Sequence, residues 1–113
     1  MPSYKNQRLT EDIHRELSDI FRGIKDPRVV PLISIVRVDL SGDRSVCRVY
    51  VSSMEGLPRA KETVEGLKSA AGYVRRELGL RVQMRHTPEL RFVADDSIEH
   101  SAQIAKKLSD LLD

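Results

Sequence analysis

Reactive chemistry in a short chain has to come from a few clustered side chains. The histidines here are His14, His86 and His100, and the only cysteine is Cys47. No HExxH, no CxxC and no His/Cys grouping with metal-ligand spacing occurs, so neither a metal nor a cofactor is expected. GxSxG, GxGxxG and P-loop patterns are also missing. The adjacent Asp95–Asp96 pair could serve acid–base or magnesium chemistry, but a helix start explains it better. Asp96 stands three residues before Glu99, the spacing of a capping box, and Asp95 favours the positive end of the same helix. Cys47 falls mid-strand on an expected core face, where a thiol behaves as a small apolar group. No activated nucleophile is visible, so the expectation is that the chain is not an enzyme and takes no small-molecule substrate.

The remaining chemistry is cationic. Lys+Arg number 19 against 17 Asp+Glu, a net charge of +2. That sum is too small to imply a nucleic-acid partner, so the distribution has to carry the argument. From Lys68 to Arg91 the cations Lys68, Arg75, Arg76, Arg81, Arg85 and Arg91 are answered only by Glu77 and Glu89. Lys61, Lys68 and Arg75 are spaced seven apart and would align along two-turn steps of a helix. Such stripes commonly do no more than solvate an amphipathic helix. Two features set a phosphate-binding reading beside that one. Ala70, Ala71 and Gly72 are small enough for another backbone to approach closely. A helix restarting there would also present free N–H groups next to Arg75 and Arg76. From the residues alone both readings stand. The aromatics Tyr4, Phe21, Tyr50, Tyr73 and Phe92 are scattered, which argues against modules that stack bases on clustered rings, but not against binding through the RNA backbone.

The elements that must position these residues are readable from periodicity. Leu9, Ile13, Leu17, Ile20, Phe21 and Ile24 give a helix with one apolar stripe, ending near Gly23. Residues 32–40 read as a strand with Val36, Val38 and Leu40 on one face. The turn Ser41-Gly42-Asp43-Arg44 returns the chain into a second strand whose Cys47, Val49 and Val51 share a face. A helical stretch then turns Ala60, Val64, Leu67, Ala71, Val74 and Leu78 inward. Gly66 and Gly72 inside it predict a break near Ala70-Ala71-Gly72, a short second helix from about Tyr73 to Leu78, and a stop at Gly79. A third strand over about Leu90 to Ala94 follows the Thr87-Pro88 corner, and Ile98, Ala102, Ala105, Leu108 and Leu112 give a last helix its apolar side. Phe21 and Phe92 are expected in the core.

That order implies an α+β fold: a three-stranded mixed sheet with helices on one face, the third strand lying parallel to the first. At 113 residues, with 40% hydrophobic and 32% charged, the chain reads as one soluble domain over residues 1–113. No apolar run approaches a membrane span. The polar start, Met1 to Arg8, lacks the apolar core of a signal peptide, and a lone cysteine fits a reducing cytoplasm.

Ser69-Ala70-Ala71-Gly72-Tyr73-Val74-Arg75-Arg76-Glu77-Leu78-Gly79 and the stretch from Thr87 to His100, with its PELRFVADDSIEH run, resemble the bacterial ribosome-binding factor A family. Arg8 to Leu17 and the hairpin resemble that family's opening helix and strands. The resemblance implies a type II KH-like domain (α-β-β-α-kink-α-β plus a C-terminal helix) in which an A-x-G kink, here Ala70-Ala71-Gly72, replaces the GxxG loop. It also implies a non-catalytic assembly factor, important for growth in the cold. Such a factor binds the immature small (30S) ribosomal subunit and its 16S rRNA during late maturation. On that reading Lys61, Lys68, Arg75, Arg76 and Arg85 are the expected RNA-binding residues around the kink. The chain is expected to act as a monomer, with an assembly GTPase as a candidate partner. A basic protein-interaction adaptor for a translation factor or GTPase is the alternative.

Overall fold

The stripe from Leu9 to Phe21 forms a single helix, and its apolar side supplies one wall of the core. Ile13 and Leu17 are fully buried, and Ile20 and Phe21 nearly so. The computed structural model describes residues 4–29 and 33–112. Its elements are α1 (Tyr4–Arg22), β1 (Ile33–Leu40), β2 (Val46–Ser53), α2 (Leu57–Ser69), α3 (Ala71–Arg81), β3 (Glu89–Ala94) and α4 (Ser97–Leu112). Among the described residues no helix is long and apolar enough to cross a membrane.

β1 and β2 pair antiparallel around a turn in which Arg44 takes a positive φ of 63°. The Ser41 and Ser45 hydroxyls both donate to Asp43 Oδ1 at 2.8 Å, and the Val46 N–H donates back to Ser41 Oγ at 3.1 Å. Serine and aspartate side chains thus close the turn's backbone donors, as their short polar groups do in tight turns.

The sheet order is β1-β2-β3, and β3 runs parallel to β2. This corrects the expectation that the third strand would run parallel to the first. The α2–α3 crossover carries the chain back to the end of the sheet where β2 began. The strand after it therefore repeats the direction of β2, and β1 is the antiparallel member. A second correction concerns Val36. The β1–β2 register shifts between Ile35 and Arg37, so Val36 is the extra residue of a β-bulge and is exposed. The bulge switches parity: Ile33 and Ile35 pack on the core before it, Val38 and Leu40 after it. Simple alternation cannot show such a switch.

Cys47, Val49 and Val51 are fully buried on one face of β2, as expected, with Leu90, Phe92 and Ala94 beside them in β3. α1 covers this face with Ile13 and Leu17, α2 with Ala60 and Leu67, and α3 with Val74 and Leu78, all fully buried. Phe21 and Phe92 meet at a ring-centroid distance of 6.1 Å and a tilt of 59°, a favourable aromatic geometry. Each large aliphatic or aromatic side chain buried here contributes about 1.5–3 kcal/mol.

The last helix begins differently from the capping box expected for it. The Ser97 N–H donates to Asp95 Oδ1 at 2.7 Å, so the bonding carboxylate is that of Asp95 rather than Asp96. The Asp95 N–H donates to the Val51 carbonyl at 2.8 Å, which anchors that residue to the sheet and aims its side chain at the new helix. The bond from Ser97 holds the Asp95 carboxyl below the usual range. The side chains of Ile98, Glu99 and Ala102 lie outside the described residues. Ala105, Leu108 and Leu112, expected to form an apolar side, are exposed.

Burial, with a smaller contribution from the Asp39 charge, pushes the Cys47 thiol up to about 12. The thiolate is the reactive form. Native protein at pH 8 is therefore expected to react with a thiol reagent at least a hundredfold more slowly than denatured protein. Rapid native labelling would show that the β2 core face opens readily.

Candidate nucleic-acid interface

The interface is organised by the interruption of the crossover helix at one residue. Ala70 (φ −95°, ψ 8°) ends α2 and precedes α3. Its N–H is shared between the Gly66 and Leu67 carbonyls, both at 3.1 Å, and its carbonyl accepts the Val74 N–H at 2.9 Å. The sequence placed the restart near Tyr73 and the stop at Gly79. α3 instead begins at Ala71 and continues through Gly79 to Arg81. Three glycines explain the difference. A Cβ on Gly79 would stand 2.7 Å from Thr87 Oγ1, so this glycine lets the 82–88 segment pack against α3 and stops nothing. Gly66 admits the loop after α1, since a Cβ there would meet Val29 Cγ2 at 3.0 Å and Arg28 Cβ at 3.1 Å. Gly72 is different: nothing lies within 4 Å of its Cβ position, its φ is not in the left-handed region, and it is exposed. No contact inside the molecule requires a glycine there.

The loop after α1 braces the break. The Thr63 hydroxyl donates to the Arg28 carbonyl at 2.8 Å, and the Arg28 guanidinium donates to Ser69 Oγ at 3.1 Å. Asp26 holds that guanidinium in a two-pronged pair at 3.0 and 2.7 Å and also accepts the Arg28 N–H at 2.9 Å. An exposed pair contributes little to stability by itself, but this one fixes where Arg28 sits beside the end of α2.

The expected site residues fall into two groups. Lys61 and Lys68 are exposed on α2 and line an open cleft of about 560 Å³ floored by Val64, Phe92, Val93 and Ala94. Glu62 and Glu65 line it too, and Lys68 approaches Glu65 at 3.6 Å. Arg75 and Arg76 line a second cleft of about 350 Å³ between α3 and the 82–88 segment, together with Gly72, Gly79, His86 and Thr87. Arg75 donates to the Thr87 carbonyl from Nε at 3.3 Å and from a terminal nitrogen at 2.9 Å, so it also ties the segment to the helix. Arg76 and Arg85 are exposed, and neither makes an ion pair among the described residues. The break takes Arg75 off the seven-residue phase of Lys61 and Lys68. Ala70 and Ala71 are half-buried at the elbow, and Gly72 is exposed. His86 was not singled out by any motif, because its place depends on how the segment folds back onto α3. Among the described residues no group of three or more His, Cys, Asp or Glu could hold a metal ion.

Residues 5–108 match the family of the ribosome-binding factor A. The ribosome-binding factor A of Acetivibrio thermocellus is 48% identical over 105 residues, which cover 92% of this chain and 85% of that protein. The chain belongs to the ribosome-binding factor A family. The crystal structure of ribosome-binding factor A from Thermus thermophilus matches with a TM-score of 0.70 and 30% identity, over 78% of this chain and 92% of that one. Coordinates of the Thermus thermophilus factor fitted into the cryo-EM map of a 30S complex match with a TM-score of 0.64 and 30% identity, over 76% of this chain and 90% of that one. In this chain the crossover helix is interrupted at Ala70, with Gly72 exposed two residues on.

The side-chain hydrogen bond from Arg28 is the largest of the causes that hold the Asp26 carboxyl at about 2, below its ordinary 3.8. A depressed carboxyl stabilises the fold above its ordinary value and loses that contribution as pH falls towards its folded one. The stability the pair contributes is therefore expected to be full above about pH 4 and to fall away between there and about pH 2, with the pair itself opening as the pH passes through about 2. A carboxyl-carbon NMR titration should place the Asp26 midpoint near 2 and return it to about 4 in Arg28→Ala. An Asp26 midpoint near 4 in the unsubstituted protein would mean the pair does not form in solution.

Proposed function

We propose that this protein is a non-catalytic assembly factor that binds the immature small ribosomal subunit through its 16S rRNA during late maturation. It acts as a cytoplasmic monomer. The observation that carries the reading is Gly72. A glycine within a helix costs up to about 1 kcal/mol relative to alanine, and here no internal contact repays it. An external backbone that must come close would. Gly72 lines one cleft with Arg75, Arg76 and His86, Arg85 is on the adjoining segment, and Lys61 and Lys68 line a second cleft along α2. The Thermus thermophilus relative fitted into a 30S complex supports the choice of partner.

The mechanism needs no reaction. Cations at the bend grip phosphates of one rRNA conformation more tightly than those of its alternative, and that difference in affinity alone shifts the population. Neutralising several phosphates releases their counterions, so affinity falls steeply with salt. One observation favours the adaptor reading as a second. Ile104, Leu108, Leu111 and Leu112 form an exposed apolar stripe on α4, a surface suited to a protein such as an assembly GTPase and not to RNA.

Gly72→Ala and Gly72→Val separate fold from binding. The alanine variant should melt at the same temperature or slightly higher, because helix propensity rises and the Cβ meets open space. Both variants should bind small ribosomal subunits more weakly in a filter titration, the valine variant by at least tenfold. Unchanged binding by the valine variant, or loss of binding and melting temperature in step, would defeat the reading.

A further inference from the structure

The face of the sheet turned away from the core carries charge that the bend does not use. Strand alternation puts Arg48 and Tyr50 of β2 on that face, with Arg91 and Val93 of β3 and, past the bulge, Arg37 and Asp39 of β1. In the strand register Arg48 lies between Asp39 on one side and Arg91 on the other. Like charges directly opposite each other destabilise a sheet. Each neighbouring carboxylate is engaged by another arginine: Asp39 by Arg37 at 3.1 Å and Glu89 by Arg91 at 3.3 Å. Among the described residues Arg48 makes no ion pair, and it is exposed. Ser52, further along the same face, is fully buried, so the face is open at its Arg48 end.

We infer that this open end is a second phosphate-binding surface, which takes the sugar–phosphate backbone of an RNA segment other than the one at the bend. The inference rests on the RNA-binding function proposed above. Three arginines on rigid, paired strands present planar forks of the kind that match phosphate oxygens. Arg37 lies over the Tyr50 ring at 4.3 Å from its centroid, so that ring face is occupied and cannot stack a base. Contact with the backbone is what remains. A protein partner would need apolar or aromatic anchors at the centre of its interface. Among the described residues the open end offers only Val36, at the bulge, as an exposed large apolar side chain. Because α1, α2 and α3 cover the opposite face, the two surfaces look in different directions and the protein is held between two RNA segments.

The test uses the full chain with purified small ribosomal subunits as the probe, titrated over a range of KCl concentrations. The double variant Arg48→Gln/Arg91→Gln should reduce the slope of log affinity against log salt by about 1.8, since each lost phosphate contact removes about 0.9. The variant Arg48→Lys/Arg91→Lys should keep most of that slope. Separating two like charges should leave the melting temperature of the glutamine variant unchanged or raise it, so weaker binding cannot be laid to misfolding. A steep slope in the unsubstituted protein that stays equally steep in the glutamine variant would overturn the second surface and leave the bend intact. A flat response in the unsubstituted protein would instead overturn the RNA-binding function itself, and this surface with it.

Discussion

The docking of the loop after α1 against α2 is the constraint on which the rest depends. Gly66 leaves the room, the Thr63 hydroxyl takes the Arg28 carbonyl, and Arg28 reaches Ser69 at the last residue of α2. These contacts decide where α2 may end. The Ala70 N–H then spreads over two carbonyls, and the chain restarts as α3 within one residue. A longer linker would have had to satisfy several backbone donors and acceptors with water or side chains. A one-residue break leaves few, and keeps both half-helices seated on the same sheet face through Leu67, Val74 and Leu78.

Three glycines in one crossover show how the same residue type serves different ends. Gly66 and Gly79 are where something inside the molecule comes too close for a Cβ: a loop in the first case, Thr87 in the second. Both are packing devices, and each fixes a segment that borders a cleft. Gly72 has no such neighbour, although it lies between them on the same crossover and within a turn of two arginines. The contrast separates glycines the fold needs from one that no contact inside the molecule requires.

Much of this was legible in the sequence. The apolar stripes of α1 and α2, the hairpin, the β3 face and the small-residue break all follow from spacing and residue type, and the PELRFVADDSIEH run marks the family. What could not be read depends on contacts between distant segments. Val36 leaves its face because β1 must switch parity against β2, which no pattern within β1 shows. Gly79 resembles a stop signal until Thr87 packs on it. Asp95 replaces Asp96 as the bonding carboxylate because its backbone is already pinned to Val51. The seven-residue alignment of Lys61, Lys68 and Arg75 assumed a continuous helix, and the break that makes the site interesting is the same feature that takes Arg75 out of line. His86 joins that cleft only through the fold of the 82–88 segment.

A net charge of +2 looks weak for a protein that grips RNA, and the arrangement of its carboxylates shows why it need not be. Asp26, Glu65, Asp39 and Glu89 each engage a cation next to them, and the pairs at Lys68, Arg37 and Arg91 are largely exposed. Exposed pairs of this kind are worth about 0–1 kcal/mol. A phosphate approaching Lys68, Arg37 or Arg91 would therefore displace a carboxylate at small cost. Arg28 is different: its double bond to Asp26 is part of the brace, and exchanging it for a phosphate would loosen the bend. The acidic residues thus lower the net charge, which limits indiscriminate attraction to any polyanion. Among the described residues Arg76 and Arg85 near the break and Arg48 on the sheet are cations that no carboxylate engages. On the proposed function shape would then matter as much as charge, because an RNA that brings phosphates to those places at once would recover the cost of displacing the rest.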